Sequence, residues 1–166
     1  MRKAEHPVQL RHAGLDDMDT TVALFREYAG GIGIDLGYQN FEDELESLPG
    51  AYAPPKGVLL LAEIAGEPMG CVAVRPIHGT KFCEMKRLYV RDRARGTGAG
   101  RLLATAAVTE GKRMGYAAMR LDTLSTMQAA LSLYRGLGFK EIPAYYDTPI
   151  AGTVFMHKEL EDERGG

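Results

Sequence analysis

Between residues 58 and 90 apolar residues run almost unbroken, in "VLLLAEIAGEPMGCVAVRPI" and "KFCEMKRLYV", whereas before and after they recur every three or four positions. The unbroken run predicts strands buried on both faces, and "GEP" divides its first part into an antiparallel hairpin because the connection is so short. Upstream, Asp16 and Asp17 cap a series of Met18, Val22, Phe25 and Tyr28 that predicts a helix. A second, short helix is expected through "FEDELESL", ending before Pro49, after a flexible glycine-rich stretch, "GGIGIDLGYQN". Downstream, Ala99, Leu102, Leu103, Ala106, Ala107 and Met114 predict one buried face of a helix from Gly98 to Met114. "TMQAALSLYRGLGF" places Ala130, Leu133, Tyr134 and Leu137 on one helix face, with Gly138 as its stop. "VQLRHAG", "AAMRLDTL" and "TVFMHKEL" supply further strands, "GFKEI" a short additional one, and "EDERGG" reads as a frayed tail.

The order β-α-α-β-β-β-α-β-α-β predicts a mixed α/β fold, with antiparallel hairpins first and a parallel β-α-β passage after them. With 166 residues, 45% hydrophobic and no low-complexity linker, residues 1–166 are expected to form a single domain. The net charge of −2 argues against a nucleic-acid or acidic-membrane partner. No apolar run approaches the roughly 20 residues of a membrane span, and "MRKAEHPVQLRH" has no signal-type core, so a cytoplasmic protein is expected. Cys71 and Cys83 lie inside strand-like runs and read as buried reduced thiols. The four histidines are scattered without metal-ligand spacing, so no metal site is expected.

Charge is concentrated in one place. Lys86, Arg87, Arg91, Arg93, Arg95 and Arg101 share a segment with one acid, Asp92. A solvated basic surface is the ordinary fate of such a run. Here, however, Gly96, Gly98 and Gly100 fall where a helix begins, so free backbone N–H groups and the helix dipole converge on one spot. A phosphate or pyrophosphate is the natural occupant. No lysine–serine or lysine–threonine pair completes a P-loop, and Arg101 stands where a dinucleotide fingerprint needs its third glycine. The spacing that remains is Arg95-x-x-Gly98-x-Gly100, after a strand ending in Val90.

This spacing resembles the R/Q-x-x-G-x-G/A signature of the GNAT superfamily of acyl-CoA-dependent N-acyltransferases. The resemblance covers roughly Val58 to Leu160 and implies a central mixed, mostly antiparallel sheet of six to seven strands flanked by about four helices. It implies that Arg95, Gly96, Thr97, Gly98, Ala99 and Gly100 wrap the pyrophosphate of acetyl-CoA, and that Leu88, Tyr89 and Val90 hold its pantetheine arm as an added strand would. A backbone N–H near Tyr89 or Val90 would meet the oxyanion of the transfer step. "ALSLYRGLGF" is similar to the second family signature through Ala130, Tyr134, Gly138 and Phe139. The resemblance makes Tyr134 the acid that protonates the leaving thiolate, against the plainer reading of a core aromatic. Met127 departs from the pattern, since the family often has asparagine seven residues before this tyrosine.

An amine must lose its proton to act as nucleophile. Glu84, eleven residues before Arg95, sits at the offset where several GNAT enzymes carry their general base. Its rival reading is an ion pair with Lys86 or Arg87. Alternation puts Glu84, Lys86, Leu88 and Val90 on one face, unless a bulge near Leu88, usual for this family, breaks the parity. For the acceptor, Asp147 with Tyr145 and Tyr146 forms one candidate site, and the acids Asp35, Glu42, Asp43, Glu44 and Glu46 another attraction for a basic amine. The expected partner is thus a small-molecule, peptide or protein amine. Homodimers are common in the family, though nothing in the sequence shows one. A non-catalytic acyl-CoA-binding module needs the loop but neither Glu84 nor Tyr134, and the retention of both favours the enzyme.

Overall fold

The computed structural model describes residues 6–33 and 35–160, and the tail read as frayed lies outside them. In chain order the elements are β1 (Val8–His12), α1 (Met18–Ile32), α2 (Phe41–Ser47), β2 (Val58–Ile64), β3 (Glu67–Pro76), β4 (Phe82–Val90), α3 (Ala99–Arg113), β5 (Ala118–Leu124), α4 (Gln128–Gly136), β6 (Lys140–Ile142) and β7 (Thr153–Glu159). The fold is mixed α/β, as expected: seven strands in the order β1-β2-β3-β4-β5-β7-β6, with four α-helices. Every neighbouring pair is antiparallel except β4 and β5. No helix among the described residues is long and apolar enough to cross a membrane.

The unbroken apolar run has a simple cause: the sheet is covered on both faces. Val58, Leu60 and Ala62 of β2 pack with Leu103, Ala107 and Leu131 of α3 and α4. Leu59 and Leu61, pointing the other way, pack with Leu24 and Phe25 of α1 and Phe41 and Leu45 of α2. Each such large side chain contributes about 1.5–3 kcal/mol when fully buried. Cys71 and Cys83 are buried on opposite faces, and burial pushes both thiols up, Cys83 to about 12. Neither is a thiolate nucleophile near neutral pH.

One local expectation is corrected, and the bulge allowed for near Leu88 is present. Leu102, placed by spacing on the buried face of α3, is 44% exposed, and the buried face runs through Ala99, Leu103, Ala104, Ala107 and Gly111 instead. Small residues there let α3 lie close against the sheet, and Leu102 falls outside that stripe. The face alternation of β4 also breaks. Cys71 opposes Tyr89 but Ala73 opposes Lys86, so Arg87 and Leu88 together face Val72. The bulge turns Leu88 and Val90 to the α3–α4 core, while Glu84 and Lys86 keep to the α1–α2 side.

The bulge has a cost and a clamp. Arg87 adopts φ +62°, a left-handed conformation that a non-glycine residue holds only under constraint. Its guanidinium donates two hydrogen bonds to Glu44 at 3.0 and 2.8 Å and one to Gln39 at 2.9 Å, over the ring of Phe41 at 5.2 Å. The side chain is 1% exposed. α2 and the segment before it are thereby fastened to the middle of β4.

Candidate active site

β4 and β5 pair only from Phe82–Ala118 to Glu84–Arg120, although β4 continues to Val90 and β5 to Leu124. Beyond Glu84 the two strands part. A cavity of about 60 Å³ lies in the opening, lined by Lys86 and Leu88 of β4, Thr123 of β5, Met127 at the N-cap of α4, Tyr134 of α4 and Tyr28 of α1. Because α1 and α4 lie on opposite faces, the opening passes through the sheet. The edge of β4 that it exposes is free for backbone pairing. Arg91 N–H bonds Met69 C=O on the β3 side at 2.8 Å, so the period of two turns Val90 N–H toward the opening.

At the carboxyl end of β4 a 3-10 turn, Asp92–Ala94, leads into the loop before α3. Gly96 and Gly98 have φ of +84° and +87°, with open space where a Cβ would sit. Gly98 is the N-cap of α3 and provides no side-chain cap. Leu102 N–H bonds back to Gly98, whereas among the described residues the N–H groups of Gly98, Gly100 and Arg101 meet no backbone acceptor. These uncapped donors, the dipole of a 15-residue helix and an open approach suit a pyrophosphate. Arg95 is loosely tied to Asp92 at 3.2 Å, and with Arg93 and His6 it borders a surface cleft beside the loop.

On the α1–α2 side a wider cleft of about 460 Å³ opens over the other half of β4. Glu84 and Arg75 are cross-strand partners, and Arg75 Nε donates to Glu84 Oε1 at 3.1 Å. Tyr145 OH donates to Glu84 Oε2 at 2.6 Å. The ion pair that the rival reading gave to Lys86 or Arg87 is made with Arg75, because directly opposed residues of an antiparallel pair share a face, whereas Arg87, which the bulge brings to the α1–α2 side, is bound to Glu44 and Gln39. Lys86 instead approaches Asp122 Oδ2 at 3.6 Å and donates to Gln39 at 3.3 Å. Burial would raise the Glu84 carboxyl, but the charges of Lys86 and Arg75 and the two hydrogen bonds outweigh it and hold the group below its ordinary value. Burial lowers Lys86, only partly offset by Asp122 and Glu84.

The three loop residues read as an acceptor site line this same cleft. Tyr145 is wedged among Tyr146 at 5.4 Å, Phe155 at 5.2 Å and the Arg120 guanidinium at 5.2 Å. Its phenol is pushed up by burial and by Glu84, so it remains a donor. Asp147 is exposed at the rim. Of the acids of the α2 region, Glu44 is held by Arg87 in a buried pair and Glu42 pairs with Arg26 at 3.1 Å on the exposed surface.

Tyr134 has two surroundings. It belongs to the α3–α4 core, edge to Phe139 at 5.9 Å, yet it also lines the opening between the strands. Burial raises its phenol, which keeps its proton near neutral pH. Met127 lines the same cavity and accepts a long contact from Thr123 Oγ1 to Sδ at 3.7 Å, which puts a hydroxyl beside the place of the missing asparagine. Sequence reasoning missed Arg75 and Lys86 as site residues. The signal available was register: an arginine nine residues before Glu84, across one hairpin, is placed to face it.

The comparisons with known proteins agree with this geometry. The profile of the Acetyltransferase (GNAT) family matches residues 20–139. An uncharacterised N-acetyltransferase of Schizosaccharomyces pombe is 43% identical over 145 residues, which cover 87% of this chain and 89% of that protein. Among solved structures, a GNAT-family acetyltransferase of Staphylococcus aureus has a TM-score of 0.76 at 16% identity, over 93% of this chain and 99% of that one. A Salmonella typhimurium acetyltransferase solved with its cofactor acetyl-CoA has a TM-score of 0.68 at 20% identity, over 93% and 95%. Parted strands, an uncapped glycine loop and a tyrosine facing the opening thus have a common explanation: the chain belongs to the GNAT family of acetyltransferases.

Proposed function

We propose that this protein is an acetyl-CoA-dependent N-acetyltransferase that moves the acetyl group to a primary amine by direct attack. One observation carries the reading. The opening between β4 and β5 is bordered by Tyr134 from the α4 face, the Glu84 cleft lies on the α1–α2 face, and Lys86 lines both spaces. The uncapped start of α3 holds the pyrophosphate, with Arg93 and Arg95 beside it, and the free edge of β4 from Leu88 to Val90 takes the pantetheine arm. Acetyl-CoA supplies an acetyl group already activated as a thioester.

Glu84 receives the proton of the attacking amine, directly or through one water, as a new N–C bond forms and the C–S bond breaks. Its depressed value makes it a weak base but keeps it ionised at neutral pH. Val90 N–H, turned toward the opening, is the donor for the developing oxyanion. Tyr134 gives its proton to the departing sulfur, and its raised value ensures that it has one to give. With both thiols buried and protonated, no covalent acyl-enzyme is needed.

Thiol release from acetyl-CoA with a panel of amines tests this reading. Tyr134→Phe is expected to slow turnover about 100-fold while acetyl-CoA still binds. Tight acetyl-CoA binding without thiol release on any amine would instead identify a non-catalytic binding module.

A further inference from the structure

The cleft over Glu84 has more to say about the acceptor than that it is an amine. Arg75 uses only Nε on Glu84, and among the described residues its two terminal nitrogens make no hydrogen bond. The side chain is 29% exposed and borders the cleft, with its guanidinium over the Tyr52 ring at 5.9 Å. Three basic side chains, Arg75, Lys86 and His78, border the cleft against two acidic ones, Glu84 and Asp147. Glu84 already accepts on both oxygens, and Asp147 lies at the exposed rim. A second cationic centre on the acceptor would therefore meet Arg75 and Lys86 before any uncommitted acid. The amides of Gln39 and Asn40 complete a polar wall, and about 460 Å³ suits a small molecule.

We propose that the acceptor is a small zwitterion, an amine that also carries a carboxylate, and that the free edge of Arg75 receives the carboxylate. The inference rests on the acetyltransferase reading of the cleft. Its physical basis is a charge balance across the reaction. In the resting site the guanidinium is neutralised by Glu84. When Glu84 takes up the amine's proton, Arg75 loses its counter-ion in a half-buried place, at the moment when neutralisation matters most. A substrate carboxylate on the terminal nitrogens replaces it, and the planar fork suits a carboxylate geometrically. The pair also sets the amine beside Glu84, since Nε and the terminal nitrogens belong to one rigid group.

The test compares three forms of each acceptor in a panel: a free amino acid, its carboxamide and its decarboxylated amine. Rates are expressed per unprotonated amine, so that differences in amine basicity cancel. The acid form is expected to exceed the other two in kcat/KM by about 10- to 100-fold, the range of a charged hydrogen bond in a partly buried site. Arg75→Gln should collapse that ratio toward one, and Arg75→Lys should restore part of it. A structural or purely basicity-tuning role for Arg75 would lower all three rates together and leave the ratio standing. Equal or better turnover of the carboxamide or the decarboxylated amine by the wild-type protein overturns the proposal while the acetyltransferase reading survives, and so does a preference that persists in Arg75→Gln. Failure of every acceptor form to release thiol, with acetyl-CoA bound, overturns both.

Discussion

At the carboxyl end of β4 the loop from Arg95 to Gly100 offers backbone N–H groups to solvent, with Gly96 and Gly98 in left-handed conformations and nothing packed against them. At the other end of the same strand Glu84 is 6% exposed and held by Arg75 and Tyr145, residues from two other segments of the chain. The first site is contiguous, backbone-built and open. The second is assembled from side chains, buried and electrostatically tuned. A backbone site tolerates change in the side chains around it because its donors do not depend on them. A side-chain site is only as good as the register and loop positions that converge on it. This difference explains why the glycine loop is recognisable from residue order while the Glu84 cleft is not.

Substitutions on either side should separate the two. The largest effect is expected from Glu84→Gln, a loss of roughly 10²- to 10³-fold in kcat/KM with acetyl-CoA affinity unchanged, read by steady-state kinetics and calorimetry. A pH–rate profile of that variant superimposable on the wild type would remove Glu84 from the mechanism. Next is Glu44→Ala, which strands the Arg87 guanidinium in a place only 1% exposed to solvent. Urea unfolding should show about 3 kcal/mol of lost stability, and the acceptor wall at Gln39 should loosen while the α3 loop is spared.

Gly98→Ala attacks the other site. At φ +87° an alanine costs about 1–2 kcal/mol, so acetyl-CoA affinity should fall about tenfold with the ranking of acceptors unaltered. A change in acceptor ranking would mean the two sites are not independent. The smallest effect belongs to Tyr145→Phe, which removes one hydrogen bond to the ionised Glu84 and moves its carboxyl back toward the ordinary range, by linkage about 1 kcal/mol of stability. The sign follows from a folded value below the unfolded one of about 4.3: the stabilisation is complete above the unfolded value and disappears as pH falls through the folded one. Denaturation should therefore separate variant from wild type at pH 7 more than at pH 3.

Much of this was legible in residue order. The hairpin around "GEP", the crossover helix, the short strand at Lys140–Ile142 and the loop motif all follow from turn chemistry and from apolar period, both local properties. Tyr134 was legible as a residue with two possible roles, because an amphipathic helix and a family signature select the same position. Leu102 was misplaced because helical spacing assigns a stripe without saying how wide the sheet beneath it is. The rival reading of Glu84 named Lys86 or Arg87 as its ion-pair partner and did not reach Arg75, because proximity along one strand counts for less than register across two.

What the sequence determined by itself is therefore the list of elements, their order and the glycine loop before α3, since each depends on residues within a dozen positions of one another. Only the tertiary structure decided that β4 and β5 part after three pairs, that Arg87 is turned by a bulge into the hold of Glu44, and that Arg75 and Tyr145 close on Glu84. These depend on strand pairing and on loops returning from as far as 61 residues away, where the free energy of packing, not local propensity, chooses the partner.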